Sequence, residues 1–156
     1  VEQELGGPGI MLDAGCGVGR DMIFTALRGW HCIGFDNRAP LLRKAVSLGV
    51  QHGASVDPLR LELKRHSTVM LRPASCDLVL VSRFLHRPTL NLLLQQVRVN
   101  GFLLYSHFLD GCQHTAVGSP STLEGFFLKG ELEELLQRTK CFDVLHCVYS
   151  SLDDGR

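Results

Sequence analysis

Ile10-Met11-Leu12-Asp13-Ala14-Gly15-Cys16-Gly17-Val18-Gly19-Arg20 is the stretch on which the reading of the chain turns. Three apolar residues predict a short buried strand and three alternating glycines a tight turn. Arg20 to Arg28, with Ile23, Phe24 and Leu27 at helical spacing, predicts a helix. A strand, a glycine loop and a helix in that order bring backbone amides and a positive helix end to a ligand. Only residues without Cβ atoms let a ligand come so close. The competing reading is a mere tight turn. The spacing is Gly-x-Gly-x-Gly, not the Gly-x-Gly-x-x-Gly of dinucleotide binders, and Asp13 closes the strand. A carboxylate there would repel a pyrophosphate and attract a cation. A second strand, Trp30 to Phe35, runs into Asp36, about 20 positions after Gly15, where a doubly wound sheet places the acid that binds a ribose.

With these residues in view, Leu12 to Arg20 resembles the first motif of class I S-adenosylmethionine-dependent methyltransferases, and Gly34-Phe35-Asp36-Asn37 resembles their second. Cys76-Asp77-Leu78-Val79-Leu80-Val81-Ser82 is similar to the fourth strand motif, and Asn100-Gly101-Phe102-Leu103-Leu104-Tyr105 to the fifth. The four motifs stand in the family's order between Ile10 and Phe108. Gly19-Arg20-Asp21 and Trp30 to Arg38 are further similar to the small tellurite-resistance type of methyltransferase. The resemblance implies an α/β fold with a Rossmann-like, doubly wound, mostly parallel sheet in the order 3-2-1-4-5-6. It also implies a seventh, antiparallel strand, for which this chain shows no segment.

The chain of 156 residues is long enough for one domain that buries about two-thirds of its unfolded surface. A single methyltransferase domain over 1–156, with its core at about 10–150, is therefore expected. The chain begins at Val1 without an initiator methionine, so a piece of a longer protein is also an expectation. Hydrophobic residues at 45% and charged residues at 21% exclude a disordered chain. Sixteen basic and sixteen acidic side chains cancel, which gives no general grip on nucleic acid and leaves only a local basic patch open. Six cysteines without a Cys-x-x-Cys pair read as reduced thiols of an intracellular, cytoplasmic protein rather than a disulfide framework. No signal-like start and no apolar run long enough to span a membrane is present.

Further along, Pro40 predicts a helix start, with Leu41, Leu42, Ala45 and Val46 inward and Gly49 as its stop. Leu59 to Leu63 alternates as a short strand, and Lys64 to Ser75 reads as a loop with at most a turn or two. Asp77 to Ser82 reads as a central parallel strand. Thr89 would cap a helix carrying Leu90, Leu93, Leu94 and Val97 inward and ending at Asn100-Gly101, followed by a strand from Phe102 to Phe108. Asp110 to Leu128 reads as a long loop on the substrate side. A last helix at Glu131 to Arg138 precedes a sixth strand from Phe142 to Ser150, and Leu152 to Arg156 resembles the start of a hairpin turn.

S-adenosylmethionine carries an activated methyl group, so a protein mainly holds donor and acceptor in line. By resemblance, Asp13 and the backbone of Ala14, Gly15, Cys16 and Gly17 hold the methionine end. Asp36 holds the ribose hydroxyls, Asn37 or Arg38 the adenine edge, Glu62 the adenine amino group and Leu63 an adenine face. Arg20 is either a surface charge or the partner of Asp13 or of the cofactor carboxylate. Cys16 reads as a small residue whose amide matters, since no base stands beside it. The segment Ser82-Arg83-Phe84-Leu85-His86-Arg87-Pro88 follows the fourth strand, where the family meets its acceptor. It lacks the Asn/Asp-Pro-Pro-aromatic signature of many nucleic-acid and protein-amide N-methyltransferases, which favours a small-molecule acceptor. Arg83 and His86 are the candidate catalytic residues, for an anion or for a proton from a hydroxyl or thiol, with His107 as a further candidate. His86 as a packed or merely exposed side chain is the competing reading. His107, His114 and His146 have no ligand-like spacing, so no metal is expected. The expected cofactor is S-adenosylmethionine, leaving as S-adenosylhomocysteine. The alternatives are a catalytically silent binding module of a larger protein and, disfavoured by the glycine spacing and Asp13, a nicotinamide dehydrogenase.

Overall fold

The computed structural model describes residues 6–63, 71–112 and 120–150. They belong to two compact units, Val1–Ser106 and His107–Arg156.

The first unit holds a sheet of five parallel strands: β1 (Ile10–Ala14), β2 (His31–Asp36), β3 (Asp57–Arg60), β4 (Cys76–Ser82) and β5 (Val97–Ser106), in the order β3-β2-β1-β4-β5. Three helices accompany it: α1 (Arg20–Ala26), α2 (Ala39–His52) and α3 (Arg87–Leu94). Successive strand residues point to opposite faces, and the core divides accordingly. Met11, Cys32, Leu78 and Leu80 pack with Met22 of α1 and Leu42 of α2 on one face. Leu12, Ala14, Phe35, Val79 and Val81 pack with Leu93 of α3 on the other. Helices on both faces are what a parallel sheet of apolar strands needs, and they make the fold α/β, Rossmann-like and doubly wound, as expected.

The chain leaves β1 toward β2 and β3 on one side and returns to β4 and β5 on the other. Open α/β sheets bind ligands at that reversal, outside the carboxyl ends of the strands. The register aligns those ends: Asp13 pairs with Gly34 and Leu80, and Ala14 with Phe35 and Val81. Close packing of the loop against β2 depends on Gly34, where a Cβ would stand 2.4 Å from Met22 Sδ and 2.8 Å from Cys16 Cβ.

Several elements differ in extent from the sequence reading. In α1, Met22 and Ile23 are buried, while Phe24 and Leu27 are more than half exposed, so the inward stripe is shifted by one residue. Helix α2 runs through Gly49 to a left-handed cap at Gly53 and buries Leu42, Ala45 and Gly49; Val46 faces out. Gly49 is a close-packing position rather than a stop, since a Cβ there would lie 2.9 Å from Ala54 O. Strand β3 pairs over Asp57–Arg60, which leaves Leu61, Glu62 and Leu63 beyond its carboxyl end. Helix α3 begins after His86, and Pro88 suits its first turn, which needs no N–H bond there. Val97 belongs to β5, because the register slips between Cys76–Val97 and Leu78–Phe102 and absorbs Asn100, at φ 60°, as an irregularity inside the strand. The segments Lys64 to Ser75 and Asp110 to Leu128, read above as loops, fall partly, and Leu152 to Arg156, read as the start of a hairpin turn, wholly, outside the described residues.

In the second unit, Leu109 bridges Phe127, a short 3-10 turn spans Leu123–Gly125, and α4 covers Glu131–Thr139 with Leu136 buried. The sixth strand expected at Phe142 to Ser150 does not form. The segment carries no regular structure, and Val144, Leu145, Val148 and Tyr149 are exposed. Alternating apolar residues make a strand only where a neighbouring backbone supplies the ladder.

Candidate functional site

Strand β1 ends in Asp13 and Ala14, both buried, and hands over to the glycine loop. Gly15 sits at φ 85°, and a Cβ there would meet Phe84 Cβ at 2.9 Å, so glycine is required twice over. The amides of Gly15 and Cys16 donate to Phe35 O at 2.8 and 3.0 Å, tying the loop to the end of β2. Asp36, at the end of β2, has a side chain only 4% exposed. Its Oδ1 accepts the Arg38 N–H (2.8 Å) and Nε (3.1 Å), and its Oδ2 accepts the Gly17 N–H (3.0 Å) and Arg38 Nη2 (3.2 Å). Burial pushes its pKa up, but the Arg38 guanidinium and the two amides outweigh this and hold the carboxyl below its ordinary value.

Asp13 is the opposite case. Burial, reinforced by the charges of Asp21 and Asp36, pushes its carboxyl up to about 7, and among the described residues no hydrogen bond reaches it. A nearly dry carboxyl without a partner is suited to a cationic group. Cys16 is driven up to about 12, first by burial and then by Asp13 and Asp36, so its thiol stays protonated and is no nucleophile at neutral pH.

Between these elements lies a cleft of about 220 Å³. Phe35, Leu61 and Leu63 supply an apolar wall, and Asp36, Asn37, Arg38 and Glu62 a polar one. Gly15, Arg83 and Phe84 complete the lining. Asn37 Nδ2 donates to Glu62 Oε2 at 2.7 Å, which holds the carboxylate beyond β3 against the start of α2. Of the residues expected from the sequence, the cleft thus gathers Gly15, Asp36, Asn37, Arg38, Glu62, Leu63 and Arg83. Asp13, Ala14, Cys16, Gly17, Arg20, Ser82 and His86 are not among its lining residues. Arg20 is exposed and makes no ion pair with Asp13. His86 stands just before α3, with Nδ1 3.3 Å from Thr89 Oγ1. His107 lies in the second unit, where its Nε2 donates to Gly125 O at 2.6 Å.

Phe84 and the Asp36–Arg38 clasp are the features that the sequence reading missed. Phe84 is held over Gly15 through its carbonyl, which accepts the Tyr105 hydroxyl at 2.6 Å. An aromatic residue after an apolar strand would have been the only sign. Among the described residues no group of three or more His, Cys, Asp or Glu gathers as metal ligands would, and no helix is long and apolar enough to cross a membrane. All six cysteines are free thiols.

No protein-family model matches the chain, and no curated protein matches it in sequence. Solved structures do match in fold. An S-adenosylmethionine-dependent methyltransferase from Aquifex aeolicus superimposes with TM-score 0.65 at 17% identity, over 83% of this chain and 70% of that one. TehB from Haemophilus influenzae gives 0.64 at 17%, over 83% and 46%. A TehB-like S-adenosylmethionine-dependent methyltransferase from Corynebacterium glutamicum gives 0.60 at 19%, over 83% and 63%. The chain spans about half the length of several structures it matches, 50% for the Pyrococcus horikoshii protein PH0226. Strand order, the loop at the end of β1 and these superpositions together give the chain the class I S-adenosylmethionine-dependent methyltransferase fold.

Proposed function

We propose that the chain binds S-adenosylmethionine in the cleft beyond β1, β2 and β3 and transfers its methyl group to a small-molecule acceptor. The observation that carries this reading is Asp36: a nearly buried acid at the end of β2, bonded to the amide of Gly17 in the glycine loop. In this reading Asp36 takes the ribose hydroxyls, while Phe35, Leu61 and Leu63 cover the adenine and Glu62 or Asn37 meets its polar edge. The backbone of Ala14 to Gly17 and the carboxyl of Asp13 take the methionine end. Asp13 then gains what it lacks, an ammonium partner for a buried negative charge. When bound, the cofactor supplies the activated methyl group; the chain's task is to hold it in line and keep water off. Phe84, stacked on Gly15, closes the cleft toward β4, and Arg83 stands at its rim to receive an acceptor.

A second reading is binding without turnover, as the module of a larger protein. It is favoured by His86, whose ring is engaged at the start of α3 and does not line the cleft. Titration with S-adenosylmethionine tests the shared part of both readings. Release of S-adenosylhomocysteine in the presence of candidate acceptors separates them, since any acceptor-dependent turnover excludes the silent module.

A further inference from the structure

The four hydrogen bonds on Asp36 have an order that bears on ligand entry. Each carboxylate oxygen accepts one backbone N–H and one guanidinium N–H: Arg38 N and Nε on Oδ1, Gly17 N and Arg38 Nη2 on Oδ2. The backbone bonds are fixed by the glycine loop and the approach to α2. The guanidinium bonds form a two-pronged fork, one N–H to each oxygen. A vicinal diol offers the same pattern, two O–H donors on neighbouring carbons. An ionised carboxylate has about four lone-pair sites, and all are taken. Asp36 cannot turn away, since its side chain is 4% exposed and doubly anchored to backbone; Arg38, at 64%, can leave into water.

We propose that the Arg38 guanidinium is a built-in stand-in for the ribose diol, a latch on Asp36 in the free protein that must swing off before the diol of an adenosyl ligand is held there. The inference rests on the cofactor reading above. It adds that binding competes with an internal ion pair, so the apparent affinity is lowered by the share of molecules in which the latch is shut. A ligand without the diol makes no demand on Asp36 and is held with the latch shut, so only a diol-bearing ligand competes with Arg38.

The test is calorimetric titration of the 156-residue chain and of its Arg38→Met variant with S-adenosylhomocysteine and with its 2′,3′-dideoxy analogue. The latch predicts that Arg38→Met binds S-adenosylhomocysteine about threefold to tenfold more tightly, the weight of a partly exposed bidentate pair. The dideoxy analogue gains nothing from the substitution. Arg38→Lys, which keeps the cation but not the fork, falls between the two and serves if the methionine variant does not fold. Equal or weaker binding of S-adenosylhomocysteine by the variants overturns the latch, as does an equal gain for both ligands. Absence of binding by every folded chain overturns the cofactor reading itself and the latch with it.

Discussion

The ends of β1 and β2 and the turn after β4 border the same cleft, and they hold their side chains in opposite ways. At the first, Asp36 is nearly buried and accepts four hydrogen bonds, while Gly15 takes a backbone conformation that only glycine adopts freely. At the second, Arg83 is exposed, sits at φ 53°, and among the described residues has no side-chain partner. The half that would meet the cofactor is a rigid frame made by secondary structure and backbone amides. The half that would meet the acceptor is one strained arginine and an aromatic ring. Such a division suits a constant ligand on one side and leaves the other to be defined by its substrate.

The largest effect belongs to Asp13, whose carboxyl among the described residues has no hydrogen-bond partner. Its carboxyl ionises near 7 in the folded chain against 3.8 in the open one. A raised acid costs nothing below the lower value, and the cost of its buried charge grows as pH rises from about 4 to 7. Asp13→Asn removes that cost, so in the absence of ligand it stabilises the chain at pH 8 by about 2 to 4 kcal/mol relative to pH 4. Denaturant midpoints across that range check it; a pH-independent difference would mean that Asp13 is solvated. Gly15→Ala comes next, at about 2 to 3 kcal/mol of lost stability, from a left-handed alanine and the collision with Phe84. Urea melts measure it.

Asp36→Ala acts on the ligand rather than on the fold. It weakens binding of an adenosyl ligand by about 1 to 3 kcal/mol, the cost of leaving the diol unmet, and calorimetry reads it directly. Unchanged affinity would mean that the ribose lies elsewhere. Asp36 also adds an acid-side slope, because a lowered carboxyl contributes stability above its open-chain value that is lost as pH falls through its folded one. The smallest effect belongs to the loose half. Arg83→Gly relieves the left-handed strain, raises stability by up to about 1 kcal/mol in urea melts, and leaves adenosyl affinity within about a factor of two.

What could be read from the residues alone follows the same division. The strand, glycine loop and Asp36 were legible because their chemistry is local: spacing alone puts three glycines in one turn and an acid at the end of the next strand. The strand Asp77 to Ser82 was legible because an unbroken apolar run such as Leu78 to Val81 suits a strand covered on both faces. Val97 was not, since the leucine spacing of α3 runs on into it, and only pairing with Cys76 assigns it to β5. Phe142 to Ser150 was misread for the converse reason: a strand pattern without a neighbour is a chain of exposed apolar residues. The clasp of Arg38 on Asp36 and the seat of Phe84 on Gly15 depend on rotamers and tertiary approach, which residue types and spacing do not encode.

An adenosyl ligand in the rigid half of the cleft is the proposal on which the other roles depend. It is decided by calorimetric titration of the 156-residue chain with S-adenosylmethionine, S-adenosylhomocysteine and NAD. Micromolar binding of both adenosyl ligands and none of NAD is expected. Binding of NAD alone, or of none of the three by a chain shown to be folded, would place the adenosyl ligand outside this cleft.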